Sequence, residues 1–287
     1  MKEYYLAFDV GGTTIKYGLI DKDLNITNKG KVATLHNKDR QIMKSLMKIS
    51  TEMNQKYTLL GIGVSTAGIV GDDGSIKYAG PTISDYQGTK IKEELVNEFH
   101  LPVSVVNDVS AALLGEKLAG CAKDSDSVYC VALGTGIGGA FWADNKLYKG
   151  YHETGNSIGY TLYDPKTNTN YEQRSSTLSL QSKLEPLGFD PIEGFEKAKN
   201  GDEKTLKVIN DWALQVAEGL SSILLLFDPQ LLVIGGAVSK QGDYLRNLLQ
   251  EKLEKILPPN LCKTEIKMAV LGNDAQLYGG ISEIYEK

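Results

Sequence analysis

Two glycine-rich turns, each set between β-prone residues, constrain this chain more than any other feature. The first lies in FDVGGTTIKYGLID (residues 8–21) and the second in VALGTGIGGAFWAD (residues 131–144). A Gly-containing break between two extended apolar runs reads as a hairpin. The same hairpin at the same relative place in two halves reads as an internal duplication, with one hairpin opening each half. The chain has 287 residues, and a prior of roughly 150 residues per domain also gives about two domains.

Around the hairpins the apolar period alternates between strand and helix. Tyr4–Val10, Ile15–Ile20 and Ile26–Val32 read as a meander. Ile42, Leu46, Ile49 and Met53 then recur at helical spacing within Asp39–Tyr57, ahead of the buried-strand run Leu59–Val64. Ile91–Phe99 is a second helix, Pro102–Val106 a short strand, and Val109–Leu118 a helix that Asp108 helps to initiate. In the second half Val128–Leu133 and Ile137–Trp142 are strands. A long helix carries Trp212, Val216, Leu220, Leu224 and Phe227 and is stopped by Asp228-Pro229 before the strand Leu231–Ile234. Tyr244–Ile256, Thr264–Val270 and Ala275–Tyr285 complete a helix, a strand and a helix. The class is α/β, with an N-terminal lobe of residues 1–117, onto which 274–287 packs back, and a C-terminal lobe of 118–273.

Composition narrows the function. With 41% hydrophobic and 23% charged residues the chain is globular rather than disordered. Lys and Arg number 31 against 36 Asp and Glu, a net charge of −5 that offers nucleic acid or anionic lipid no basic face. The longest apolar stretch, Ile223–Phe227, is far short of the roughly 20 residues of a membrane span. Three scattered cysteines, Cys121, Cys130 and Cys262, read as reduced thiols, and with no secretory leader pattern the expected compartment is the cytoplasm.

The turns admit two readings. Gly11-Gly12-Thr13-Thr14, flanked by Asp9 and Lys16, is either an ordinary hairpin turn or a cradle whose backbone N–H groups approach phosphate oxygens. Gly134-Thr135-Gly136 repeats the choice. At the first turn neither GxxxxGK[ST] nor GxGxxG is present, so the P-loop and dinucleotide patterns do not apply there. A third break, Gly235-Gly236, follows a buried strand, where glycine serves either close packing or a ligand beyond the strand's carboxyl end. Three such breaks together favour a nucleotide. Asn107-Asp108 places a carboxylate where a strand gives way to a helix, as a helix cap or as a general base that takes the proton of an attacking alcohol.

In order and spacing, FDVGGTTIKYGLID, GIGVSTAGIV, VVNDVSAALLGE, VALGTGIGGA and FDPQLLVIGGAVS resemble the ROK family of repressors, open reading frames and sugar kinases, over residues 3 to 285. The resemblance implies a two-lobed actin-like ATPase (ribonuclease H-like) fold with an interlobe cleft, ATP and Mg²⁺ as cofactors, and a hexose or amino-sugar acceptor. It implies Asp9 near the metal and phosphates. Gly11, Gly12, Thr13, Thr14 and Lys16 belong to the first phosphate turn, Gly134, Thr135 and Gly136 to the second, and Gly235 and Gly236 border the adenosine. Asp108 matches the family's catalytic base and Asn107 its sugar-binding neighbour. The loop around Pro81 and Thr82 stands where the family has a sugar-contacting segment. A homodimer is also implied.

The chain departs from the family where most members carry GExGH followed by CxCGxxGCxE, a structural zinc site next to the sugar. Here the matching stretch has no cysteine, so no structural zinc is expected. Ser157 stands at the usual sugar-contacting Glu, Tyr160 at the usual zinc-linked His, and Glu172 at the second Glu. A hydroxyl and an aromatic ring in those places leave room for an acceptor larger than free glucose, such as a β-glucoside. The expected activity is ATP-dependent phosphorylation of a sugar hydroxyl, the 6-position. The family's other branch, sugar-responsive repressors, places a helix-turn-helix ahead of the core. The first phosphate turn begins here at Gly11, which leaves that domain no room. A core that binds sugar or nucleotide without catalysis is the remaining alternative, against which the intact Asp108 and both turns argue.

Overall fold

The first hairpin forms as its turn chemistry dictates. Strands β1 (Glu3–Val10) and β2 (Thr14–Ile20) pair antiparallel with Asp9 opposite Lys16 and Val10 opposite Ile15, and the Gly11 N–H closes the turn on the Thr14 carbonyl at 2.9 Å. In this computed structural model, which describes residues 2–80 and 83–285, β3 (Ile26–Ala33) extends the meander. Helix α1 (Gln41–Lys56) then leads into β4 (Thr58–Thr66), parallel to β1. A small ribbon of β5 (Ile69–Val70) and β6 (Ile76–Tyr78) precedes α2 (Ile91–Phe99), β7 (Val103–Asn107) and α3 (Asp108–Ala119). The sheet order is β3-β2-β1-β4-β7.

The second half repeats the plan. Strands β8 (Val128–Leu133), β9 (Ile137–Ala143) and β10 (Lys146–Tyr148) form the meander. Four helices follow: α4 (Tyr171–Ser175), α5 (Thr177–Leu184), α6 (Pro191–Lys199) and α7 (Glu203–Phe227). Strand β11 (Leu231–Gly235), helix α8 (Asp243–Ile256) and strand β12 (Glu265–Met268) finish a sheet ordered β10-β9-β8-β11-β12. In both sheets the first three strands are mutually antiparallel neighbours and the last two run parallel to the first. The repeat of strand order and sense is the duplication that the paired hairpins announce. A final helix, α9 (Ala275–Ile281), ends four residues before the expected Tyr285.

The chain divides into two compact units. Unit 1 runs to Lys123 and takes in Tyr151–Thr154 and the chain from Asn273 onward; unit 2 holds Asp124–Gly150 and Gly155–Gly272. Residue 117, after which the sequence places the division, lies inside α3. In unit 1 the alternation of β1 serves two faces. Leu6, Phe8 and Val10 join Ile42, Leu46 and Ile49 of α1, while Tyr5 and Ala7 meet Leu277 and Ile281 of α9. In unit 2 the α7 stripe of Trp212, Val216, Leu220 and Leu224 is buried with Leu232 and Ile234 of β11. Asp202 caps that helix through the Thr205 N–H at 2.9 Å, and Asp228, in the left-handed region at φ 41°, ends it before Pro229. No helix among the described residues is long and apolar enough to cross a membrane.

Helix α9 is seated by glycine. A Cβ on Gly279 would overlap the carbonyl oxygen of Ala111 in α3, and one on Gly63 of β4 would overlap the backbone of Gly280. Gly279→Ala is therefore expected to destabilise the chain by ~1–3 kcal/mol through overpacking, read as a lower calorimetric midpoint, whereas Ser282→Ala, one turn on, leaves the midpoint within a degree or so.

Candidate active site

The carboxyl ends of β1, β4 and β7 lie level. Val10 pairs with Thr66 and Thr66 with Asn107, so three chain ends meet along the edge of an α/β sheet where ligands commonly sit. Asn107 is the last extended residue, at ψ 150°, and its side-chain carbonyl accepts from the N–H groups of Val109 at 3.0 Å and Ser110 at 3.2 Å. The helix cap is therefore Asn107. Asp108, to which the sequence gives the initiating role, is the first helical residue, because a cap must be the last non-helical one.

The other end of the Asn107 amide acts on the base candidate. Its nitrogen donates to the Gly68 carbonyl at 2.9 Å and to Asp108 Oδ1 at 2.8 Å, and Oδ1 also accepts from the Val109 N–H at 2.9 Å. These donors favour the carboxylate, yet burial outweighs them. Burial first, with the Asp9 charge adding to it, pushes the Asp108 pKa up from the ordinary 3.8 to about 6 against the pull of Val109 and Asn107. A carboxylate with a pKa near neutrality in a rigid setting suits proton abstraction.

Asp9 faces Lys16 across the hairpin, with Lys16 Nζ 3.3 Å from Asp9 Oδ2. Burial raises the Asp9 pKa and Lys16 opposes the rise. The turn beyond them is held from behind: Thr34 donates its N–H to the Thr13 carbonyl at 3.0 Å and its hydroxyl to the Gly12 carbonyl at 2.7 Å. Those bonds occupy carbonyls and leave Thr13 exposed and Gly11, Gly12 and Thr14 partly so. Thr34 carries no sequence signal, since an isolated threonine after a strand resembles any other.

Unit 2 holds its turn by different means. The Gly134 N–H donates to the Gly136 carbonyl at 2.9 Å, and the Thr177 N–H donates to the Gly134 carbonyl at 2.8 Å. Glu172 Oε2 accepts from the Ile137 N–H at 2.7 Å, and a Cβ on Gly136 would come within 2.5 Å of that same oxygen. Glu172, expected to face the sugar, thus braces the glycine turn. Thr135 at the tip is exposed. Gly236 adopts φ 89°, and a Cβ there would overlap the Leu133 carbonyl oxygen, so close packing against the strand before the turn requires glycine. Gly235 ends β11 without that demand. Ser157 precedes and Tyr160 ends a short 3-10 turn (Ile158–Tyr160), both exposed, the tyrosine at 70%. Pro81 and Thr82 lie outside the described residues.

Among the described residues no group of three or more His, Cys, Asp or Glu side chains is placed to hold a metal ion. The donors at the sheet edge are instead the single carboxylates Asp9 and Asp108. That set fits Mg²⁺, which is commonly held by one or two carboxylates together with substrate phosphates.

The model of the ROK family matches residues 5–284. The chain belongs to the ROK family. An uncharacterised protein of Clostridium perfringens is 33% identical to this ROK protein over 96% of the chain and 95% of its own length. A beta-glucoside kinase of Listeria monocytogenes is 28% identical over 96% of this chain and 95% of its own. Among solved structures, the ROK family glucokinase of Streptomyces griseus, in complex with glucose and AMPPNP, is 25% identical with a TM-score of 0.81 over 98% of both chains. The fold is accordingly the actin-like ATPase fold, and the duplicated sheets are its two halves.

The pKa of Asp108 makes a prediction that does not depend on activity. The folded chain binds this proton more tightly than the unfolded one, so the contribution of Asp108 to stability declines as pH rises from about 4 to about 6 and stays lower above. Asp108→Asn, which cannot ionise, is expected to unfold at a higher temperature than the parent at pH 8, with the advantage gone by pH 4; thermal unfolding across that range measures it.

Proposed function

We propose that this ROK protein transfers the γ-phosphoryl group of ATP to a sugar hydroxyl, the 6-hydroxyl of a hexose, β-glucoside or N-acetylhexosamine, with Asp108 as general base. The observation that carries the proposal is the half-buried Asp108 carboxylate, held at the β7–α3 junction by Asn107 and raised to a pKa of about 6. The names of the relatives support the reading: one is a beta-glucoside kinase, and the Streptomyces griseus glucokinase was solved with glucose and AMPPNP.

The chemistry follows from the residues. Val109 and Asn107 both hold Oδ1, so Oδ2 is the oxygen assigned to the proton. As the sugar oxygen attacks phosphorus, its O–H bond breaks toward Asp108, the new O–P bond forms, and the bond to the β-phosphate oxygen breaks to release ADP. Little covalent work falls to the protein, so its contribution is position and charge. Lys16 and the N–H groups and hydroxyls of Gly11–Thr14 are assigned to the phosphates, as are those of Gly134–Gly136. Mg²⁺ carried by the nucleotide supplies charge neutralisation, with Asp9 as the carboxylate to hold it. Glu172 keeps the second turn in shape, and Gly235 and Gly236 border the adenosine. Asn107 orients Asp108 and the acceptor. Ser157 and Tyr160 replace a carboxylate and an imidazole in the sugar shell, which favours an acceptor with a substituent at the anomeric end.

A coupled ADP-release assay over hexoses, N-acetylhexosamines and β-glucosides is expected to show sugar-dependent turnover. The rate should climb as pH rises through about 6, where Asp108 loses its proton. Asp108→Asn should lower turnover by ~10²–10⁴-fold while calorimetric sugar binding stays within about threefold. Retained turnover in that variant removes Asp108 from the role, and a rate on glucose equal to that on every glucoside removes the case for a larger acceptor.

A further inference from the structure

Between β3 and α1 the chain takes a route that L-residues resist. Leu35, His36, Asn37, Asp39 and Arg40 all have left-handed backbones, with φ from 48° to 60°. Such a run persists only where its surroundings over-determine it, and the side chain that does so is Asn37. It is 4% exposed and uses its amide fully: Oδ1 accepts from the Ile42 N–H at 3.1 Å, and Nδ2 donates to the carbonyls of Ser84 at 3.1 Å and Asp85 at 3.2 Å.

The two ends of this strained turn reach the two sides of the site. Toward the phosphates, the Asn37 N–H donates to the Thr34 carbonyl at 2.9 Å, and Thr34 holds Gly12 and Thr13. Toward the base, the tethered segment continues to Tyr86, a fully buried ring whose hydroxyl bonds the Thr66 hydroxyl at 2.7 Å. Thr66 is level with Asn107, which orients Asp108. A chain of hydrogen bonds within unit 1 therefore leads from the Gly11–Thr14 turn through Thr34 and Asn37 to Ser84 and Asp85, whose neighbour Tyr86 bonds Thr66 on the strand beside Asn107. Asp85 itself sits at φ 49°, a further left-handed residue, and its carbonyl is held by the same tether.

We infer that Asn37 is a positioning residue that fixes the Ser84–Tyr86 segment on the acceptor side against the phosphate turn, so that acceptor affinity depends on a side chain that touches neither substrate. The inference rests on the phosphoryl-transfer reading for its kinetic form. Asn37→Asp keeps the size and the acceptor for Ile42 but turns the donor nitrogen into an oxygen facing two carbonyls. It is expected to raise the KM for the sugar about tenfold with the KM for ATP within about twofold, whereas Thr34→Val raises the KM for ATP about tenfold and spares that for the sugar. A sugar KM within twofold of the parent, or both constants rising together, overturns the inference.

Should Asn37→Asp fail to fold, Asn37→Gly removes both donors to Ser84 and Asp85 without burying a charge, since glycine takes φ 58° freely. It must raise the sugar KM alone, and an unchanged value overturns the inference equally. A parent chain that phosphorylates no sugar defeats the phosphoryl-transfer reading and leaves the tether to be judged by amide hydrogen exchange in Asn37→Gly. Faster exchange at 83–86 with 11–14 unchanged then supports the tether, and unchanged exchange at 83–86, or faster exchange at both, rejects it.

Discussion

The amide of Asn107 is the joint on which unit 1 depends. One of its ends satisfies two N–H groups of a helix terminus that would otherwise be orphaned; the other binds the Gly68 carbonyl and the Asp108 carboxylate. The same planar group thus ends a strand, starts a helix, anchors the neighbouring crossover and orients an ionisable side chain. Because an amide presents donor and acceptor in a fixed plane, displacing any one partner disturbs the rest. An aspartate in its place would face Asp108 with a like charge, which explains why the cap and the base are neighbours of different chemistry.

The duplicated sheets share strand order but not chemistry. In unit 1 the strand pair before the turn carries Asp9 and Lys16; at the matching register in unit 2 stand Ala132 and Gly138. The carboxylate that attends the second turn comes from elsewhere, from Glu172 on α4, and accepts a backbone N–H rather than remaining open. Duplication supplied two equivalent scaffolds, and subsequent divergence left charge at one turn and rigidity at the other.

How far this was legible in the sequence follows from the range of the interactions. The hairpins, the long α7 and the buried strands are written in local periodicity, and Gly-Gly and Asp-Pro mark their ends. The helices between Tyr171 and Lys199 went unread, since each is short and its apolar residues, such as Leu180, Leu184 and Phe195, are buried only by packing against elements distant in the chain, α7 among them. Asp108 stands out only through the family motif around it, since a carboxylate between strand and helix is most often a cap; the cap itself was misplaced by one residue because Asn and Asp both cap helices. The bracing role of Glu172 and the Asn37 tether depend on partners tens of residues away, and no spacing in the chain announces them.

The seat of α9 has a consequence for how the chain is made. The face of β1 formed by Tyr5 and Ala7 is covered by Leu277 and Ile281, residues that leave the ribosome only after all of unit 2. At ~5–20 residues per second the interval is on the order of tens of seconds. During translation the earliest strand therefore shows an unpaired apolar face while unit 2, an uninterrupted stretch apart from Tyr151–Thr154, has its whole sequence available to fold. The glycine contact at Gly279 that sets the packing of α3 and α9 is then also the closing step of assembly, and a nascent chain halted before it offers chaperones a defined apolar surface.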